Sequence, residues 1–502
     1  MSVFKRRQFL QHTLATVPAA LLPFQQLFAA DLATGGDVEA VTGTGTQILL
    51  KSGDVKDLAA RLRGDLLLRD SAGYEGARRI WNGAFDRHPA LIARCTGAAD
   101  VVEAVRFAAA HQLLVAVRGG GHSLSGQSVC EKGLMIDLSP MNGVRVDPQR
   151  RVAVVEGGAL LGALDRETLA QGLATTAGTV SHTGVGGLTL GGGFGRLCRR
   201  FALACDNVRA VDVVTADGKF RNASNQQEPD LFWGLRGGGG NFGVATAFEF
   251  QLHPVDPMMF GGDLTFAWED APAVLGFFFD FARAAPDELN LDVAAVRLPN
   301  NQRLIDIEAC YSGPAAQGEK VLAPLRRFRK PIADHIGPTP YVDLQRSGDV
   351  STEYGHRYYI KGGFVQKATP AFVDTMIGII EDANLPQVQA VSVPHGGGAI
   401  KRVKPAATAF AQRAADHNAF LFTRWDDPAQ NEAVAAWVKS AWAKLEPNTY
   451  GFYVNEFNAE DAARLRTTYG DNFGRMVDLK TKFDPGNLFR LNANVAPRAR
   501  GS

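Results

Sequence analysis

The stretch VAVRGGGHSLSGQS, residues 115–128, sets a single histidine, His122, directly after three consecutive glycines, Gly119, Gly120 and Gly121, with Arg118 just before them. A neutral imidazole is a nucleophile and proton carrier near physiological pH. A guanidinium is a permanent positive fork suited to phosphate. Glycine gives up backbone order for free φ and for close approach of a ligand to the main chain. These types describe either a ligand cradle with a reactive histidine at its rim or a tight turn carrying a surface histidine. Ser123, Gly126 and Gln127 continue the same polar run.

Two more glycine clusters need explaining, GTVSHTGVGGLTLGGGFG and LRGGGGNFGV. Bare backbone N–H groups are a common means of holding a pyrophosphate. The dinucleotide fingerprint GxGxxG occurs at Gly238, Gly240 and Gly243, but a helix-like DLFWGL precedes it and a strand follows. That order reverses strand–loop–helix, so a Rossmann domain is disfavoured. No lysine and hydroxyl follow these glycines in the P-loop pattern. What remains is a slot closed by two or three loops around one elongated, phosphate-bearing ligand.

Elements that would position this slot follow from periodicity. Residues 90–118 read strand, helix, strand, with helical spacing of Val101, Val102, Val105, Ala108 and Ala109 over 98–111. The short strand LLVAV then delivers Arg118 and the glycines at its end. GLMIDL, GVRVD and RVAVVEGG read as a meander of short strands, followed by a helix over about 159–172 and a long loop over 178–195. VRAVDVVTADGKF reads as a hairpin turning at Asp217 and Gly218. From 260 to 448 longer strands alternate with amphipathic helices, which suits one antiparallel sheet with helices on one face. The tail carries two helices and ends in FDPGNLFRLNANV.

The 502 residues suggest two or three domains. With 46% hydrophobic and 21% charged residues the composition is that of a soluble globular protein. A net charge of +1 argues against nucleic-acid and anionic-membrane partners. Glycine, at 54 residues, exceeds the usual share of about 7% and is clustered rather than periodic. Cys95, Cys130, Cys198, Cys205 and Cys310 include no CxxC pair, so no metal site is expected; buried free thiols, or one bridge between Cys198 and Cys205, account for them. At the N-terminus, Arg6 and Arg7 precede an apolar run broken by Pro18 and Pro23, too short to span a bilayer. This resembles the twin-arginine export signal, cut near residues 29–35, and implies an exported protein folded around its cofactor beforehand.

RGGGHSLSGQ, GTVSHTGVGGLTLGGGFGRLCRRFALACDN, DLFWGLRGGGGNFGV and KFDPGNLFRLNAN together resemble the berberine bridge enzyme-like family, FAD-linked oxidases of the vanillyl-alcohol oxidase superfamily. The resemblance runs from about residue 80 to the C-terminus. It implies an α+β fold: a PCMH-type FAD-binding domain of two α/β subdomains, plus an antiparallel-sheet substrate domain covered by helices. The corresponding ranges are 1–34 for the signal, 85–257 for the FAD-binding domain, 258–449 for the substrate domain, and 450–502 completing the FAD domain.

The resemblance also assigns residues. His122 occupies the position joined covalently to the flavin 8α-methyl group, with Arg118 adding charge near the pyrophosphate. Val180 stands where many relatives carry a second, cysteinyl link, so none is expected here. Thr183 stands where oxygen access is gated and leans toward an oxidase. Gly184, Gly186, Gly187, Gly191, Gly192 and Gly193 should line the cofactor, together with Asp206, Asn207, Asn492 and Asn494. In FYVNEF the catalytic base is either Tyr453 or Glu456, beside Asn455. A tyrosine titrates near pH 10 unless a positive neighbour intervenes. Tyr358, Tyr359 and Lys361 in RYYIKGG are candidates to supply one and to line the substrate face, Tyr359 being counted with the catalytic set. His395 and Arg413 are further candidates to face the ring, while Trp233 and Trp425 read as core. The implied partners are a small alcohol, sugar or phenolic substrate, O2 and the twin-arginine machinery, with a non-oxygen electron acceptor as the alternative.

Overall fold

The computed structural model describes residues 36–499; the Arg6–Arg7 segment and the apolar run after it lie outside them. The glycine loops rise from two small sheets. In the first, strands Leu66–Leu67, Leu91–Arg94, Leu134–Asp137 and Val115–Arg118 lie in that order, the last three mutually parallel. Helix Ala98–Ala110 provides the crossover and buries Val101, Ala104, Val105 and Ala108. Asp100 in its first turn accepts backbone N–H groups from Arg63, Gly64 and Thr96 at 2.8, 3.2 and 2.8 Å, a favourable place for a carboxylate. Residues 38–67, which the 85–257 boundary leaves out, belong to this unit, because Ala40, Leu50, Val55 and Leu58 share a core with Leu91 and Val105.

The second sheet is antiparallel, in the order Phe220–Ser224, Val208–Val214, Val244–Gln251, Val152–Glu156 and Val144–Asp147. The expected three-strand meander is therefore split between two sheets. Every residue of Leu134–Asp137 is buried, which suits a parallel sheet covered on both faces. Val144–Asp147 is at most half-buried and takes an edge. The glycine-rich segment expected as loop over 178–195 contains a short helix, Val185–Leu190.

The larger half is an antiparallel sheet whose strands run in the order Ala333–Asp334, Met258–Ala267, Arg303–Tyr311, Leu289–Arg297, Val388–Pro394, His417–Trp425 and Arg357–Val365, with Gly337–Pro340 added at Met258. Side chains alternate across it. Leu291, Val293 and Ala295 are buried under helices Ala271–Arg283 and Pro370–Glu381, in one core with Phe278, Phe372 and Leu421. On the opposite face Asn290 meets Cys198 and Glu308 meets Arg196, both just after the second glycine cluster.

The chain then returns to the first half. Helix Phe473–Phe483 packs Met476, Leu479 and Phe483 against the cluster of Phe232, Phe242 and Phe248. Its fully buried Lys480 donates to Asn241 O at 2.9 Å, Phe489 O at 2.8 Å and Asp484 at 2.7 Å, stitching the tail to the third glycine loop. All five cysteines are free and buried. Among the described residues no helix is long and apolar enough to cross a membrane.

Candidate active site

A cavity of about 360 Å³ opens where the three glycine clusters converge. Val115 and Val117 alternate into it, and the chain then turns through Gly119, Gly120 and Gly121. Gly121 has φ +69°, which favours glycine. Gly184, Gly186 and Gly187 form the facing wall at the start of helix Val185–Leu190, and Gly239, Gly240 and Gly243 close one end. A Cβ on Gly120 would meet Gly184 N at 2.5 Å, and one on Gly186 would meet Gly157 O at 2.8 Å. The walls are therefore main chain, with room for a thin ligand and none for side chains. From the tail, Asn492 donates to Gly240 O at 3.1 Å and Phe489 O at 2.9 Å, and Gln127 donates to Asn492 O at 3.2 Å.

His122 stands on the cavity wall with its ring stacked on Trp81, centroids 4.2 Å apart. Trp81 in turn stacks on Tyr358 at 3.9 Å. The His122 Nε2 is buried and has no hydrogen-bond partner. Burial, aided by the neighbouring His182, lowers its pKa to about 3, so the imidazole is neutral and its lone pair is free. A segment of the larger half, residues 347–356, straps this corner. Asp349 accepts from Ser181 N and Oγ at 2.8 and 2.6 Å, Thr352 O accepts from Trp81 Nε1 at 2.6 Å, and Tyr354 Oη donates to Gly120 O at 2.8 Å.

Tyr453 and Glu456 line another wall. Tyr453 Oη accepts from Gly193 N at 2.9 Å and from Asn455 Nδ2 at 2.7 Å, leaving its own proton without an acceptor. Burial holds the phenol above its ordinary range; the two N–H donors pull the other way. Glu456 is pushed up by burial to about 8, opposed by Asn418, whose Nδ2 donates to its Oε1 at 2.8 Å. The Glu456 Oε2 is buried and unpartnered.

Of the residues expected at the site, Gly119, Gly120, Gly121, His122, Ser123, Gln127, Thr183, Gly184, Gly186, Gly187, Asn492, Tyr453 and Glu456 line this one cavity. Gly191, Gly192 and Gly193 stand behind it; a Cβ on Gly191 would lie 2.1 Å from Asn455 Oδ1, and one on Gly192 would meet Phe410 at 2.9 Å. Gly126 turns behind the wall under Phe85, and Asn494 lies beyond the lining with a buried, unpartnered Oδ1. Val180 packs on Gly348 of the strap.

Several residues are directed elsewhere. Strand alternation that turns Val117 inward turns Arg118 outward, where its Nη1 donates to Ala77 O at 2.5 Å and its Nε lies 3.9 Å from Asp137. Asp206 is paired with Arg413 through two bonds of 2.6 and 2.8 Å, outside the cavity. Asn207 bridges Phe201 O and Leu203 O and meets His253. Tyr359 and Lys361 project from the helix-covered face of strand Arg357–Val365 and both donate to Glu460, at 2.7 and 2.6 Å. His395 pairs with His417 at 3.3 Å in the larger half. Trp233 and Trp425 are core.

Three residues at the site carry no motif that marks them: Trp81, Tyr358 as a stacking partner, and Asn418. His182, between Val180 and the GVGG run, is a second histidine beside a glycine loop, and that signal is visible in SHTG.

A glycine-walled slot with a neutral, unpartnered imidazole at its edge and two protonated acids on another wall fits an elongated pyrophosphate ligand with a redox head. The bare N–H groups of the glycine turns would hold the phosphates and His122 the flavin edge, while Asn492 ties the tail to the third glycine loop. Among the described residues no group of His, Cys, Asp or Glu is arranged to hold a metal.

Comparison with known proteins agrees. Residues 89–224 match the FAD binding domain model, and residues 452–496 the berberine and berberine-like model. An FAD-linked oxidoreductase of Dictyostelium discoideum is 32% identical over 452 residues, covering 88% of this chain and 97% of that protein. A xylooligosaccharide oxidase of Thermothelomyces thermophilus is 27% identical, covering 86% and 91%. The crystal structure of 6-hydroxy-D-nicotine oxidase from Arthrobacter nicotinovorans superposes with a TM-score of 0.80 at 26% identity, covering 87% and 98%.

Proposed function

The chain belongs to the berberine bridge enzyme-like family of FAD-linked oxidoreductases, and on that premise we propose that it is an oxidase of an alcohol, sugar or phenolic small molecule, with FAD joined to His122 alone and O2 as the final acceptor. The observation that carries this reading is the convergence on one cavity of the unpartnered His122 Nε2 and of the Tyr453–Glu456 pair. Relatives named as oxidases of a sugar and of a nicotine derivative support the acceptor and the substrate range.

Bound FAD would supply the two-electron acceptor and pass the electrons to O2. The protein's own part is proton handling. Removal of hydride from a C–H beside a hydroxyl needs a base for the hydroxyl proton, and such a base works best with a pKa near the operating pH. Glu456, at about 8, meets that condition better than Tyr453, which burial holds above its ordinary range. Glu456 therefore takes the proton, and Tyr453, fixed by Gly193 and Asn455, directs its free O–H at the reacting oxygen. The two N–H donors on Tyr453 Oη favour a second reading, in which the phenolate they stabilise is the base. His122, being neutral, is available as the attachment point, and the strap over it excludes water.

The same reading includes export by the twin-arginine route, supported by Arg6 and Arg7 in the sequence. The decisive experiment is acid precipitation of the purified protein. A yellow pellet, and a peptide containing His122 heavier by the mass of FAD less two hydrogens, are expected. H2O2 formation in air from a panel of alcohols, sugars and phenols tests the acceptor; reduction of artificial dyes without H2O2 overturns the oxidase assignment.

A further inference from the structure

We infer that His182 is the base that accepts the methyl proton when the cofactor is joined to His122. The inference rests on the reading that His122 carries the cofactor. Both ring nitrogens of His182 are buried without a hydrogen-bond partner, as is Nε2 of His122. The two rings lie 5.0 Å apart, tilted by 35°, with no hydrogen bond between them, which puts the His182 ring beside the edge of His122 that lines the cavity. An unmade hydrogen bond at a buried polar atom costs about 1–3 kcal/mol. Three such atoms on two neighbouring imidazoles indicate groups set aside for chemistry rather than for packing.

The surroundings fix His182 in that position. Ser181, immediately before it, is clamped to Asp349 by two hydrogen bonds of 2.8 and 2.6 Å. Tyr354 lies across both histidines, 5.2 Å from His182 and 6.3 Å edge-on from His122, with its hydroxyl anchored on Gly120 O. Burial lowers the basicity of both imidazoles, and at His182 the side chain and backbone of Asp349 partly oppose that fall. One neutral ring can thus act as nucleophile while the other acts as base.

The step balances. A C–H bond of the 8α-methyl group breaks and its proton passes to a His182 nitrogen. The His122 Nε2 lone pair forms the new N–C bond, and the His122 ring loses its N–H proton. The two electrons released leave on O2, which with the two protons becomes H2O2.

The test follows attachment in the full chain synthesised in vitro with FAD, read as flavin fluorescence moving with the chain in denaturing gels and as the mass of the His122 peptide. Expected is at least tenfold slower attachment in His182→Gln and His182→Ala, with FAD still bound reversibly and released by acid. Added imidazole should restore the rate in His182→Ala. Attachment at the wild-type rate in either variant overturns the inference, and so does loss of reversible FAD binding in both, which would make His182 part of the cradle. A wild-type chain that acquires no flavin defeats the His122 reading itself, a separate outcome.

Discussion

Gly120 and Gly184 face each other across the cradle with no room for a side chain on either: a Cβ on Gly184 would lie 2.4 Å from Gly120 N, and one on Gly120 would lie 2.5 Å from both Gly184 N and Cα. Neither contact is with a flexible side chain that could swing aside. Gly120→Ala should therefore open the two loops, at a cost of about 1–3 kcal/mol, and yield a colourless protein with a lowered Tm. An alanine variant that purifies yellow, with unchanged Tm, would contradict this geometry.

Glu456 should impose a pH dependence on turnover. Its carboxyl, held at about 8 by burial, is mostly protonated at pH 7 and ionised at pH 9, so kcat should rise through pH 8. Glu456→Gln should lower kcat by about 10²–10⁴-fold and abolish that rise. If the rise persists in Glu456→Gln and vanishes in Tyr453→Phe, the phenol is the base.

The same carboxyl has a linked effect on stability. A folded pKa raised above the unfolded value means that the contribution is fully present below the ordinary Glu range near pH 4.5 and is lost as pH climbs to about 8. Glu456→Gln removes that loss. Its Tm relative to wild type should be higher at pH 9 than at pH 4, as measured by calorimetry.

Asp206 and Arg413 form a buried pair at 2.6 Å, with side chains 8% and 2% exposed. Removing one partner strands the other charge, a loss of about 3–5 kcal/mol. Asp206→Ala should lower the Tm sharply while leaving the covalent flavin content of the folded fraction unchanged. Flavin loss without destabilisation would return Asp206 to the cofactor site.

Tyr359→Phe should change kcat less than about twofold and cost about 0.5–1.5 kcal/mol of stability, the worth of its hydrogen bond to Glu460. A large fall in kcat would show that this tyrosine reaches the substrate.

What the sequence reveals of the site depends on whether the chemistry belongs to the backbone or to side-chain direction. The glycine turns and His122 are legible because a bare main chain and a lone imidazole carry their meaning locally. Arg118 and Tyr359 are not, since one residue of strand alternation decides which face each occupies, and motif reading does not carry that phase. Asp206 is opaque for another reason: its partner Arg413 lies 207 residues away. The alternation that builds the large sheet is plain in LNLDVAAVRL, whereas the separation of Leu134–Asp137 from its sequence neighbours rests on parallel pairing with strands placed before it.

Strand Arg357–Val365 works as a partition. Tyr358 and Gly362 face the cavity side, where a Cβ on Gly362 would lie 2.1 Å from Glu456 Oε2, while Tyr359 and Val365 face the helices. Anyone seeking to retarget this enzyme can therefore begin with Ile360, Phe420, Phe422 and Arg424 on that side, and keep Tyr358, Gly362 and Asn418, which seat Trp81 and Glu456. Ala419, Leu421 and Val365, on the other side, belong to the helix-covered core, where a change would disturb packing without touching the substrate.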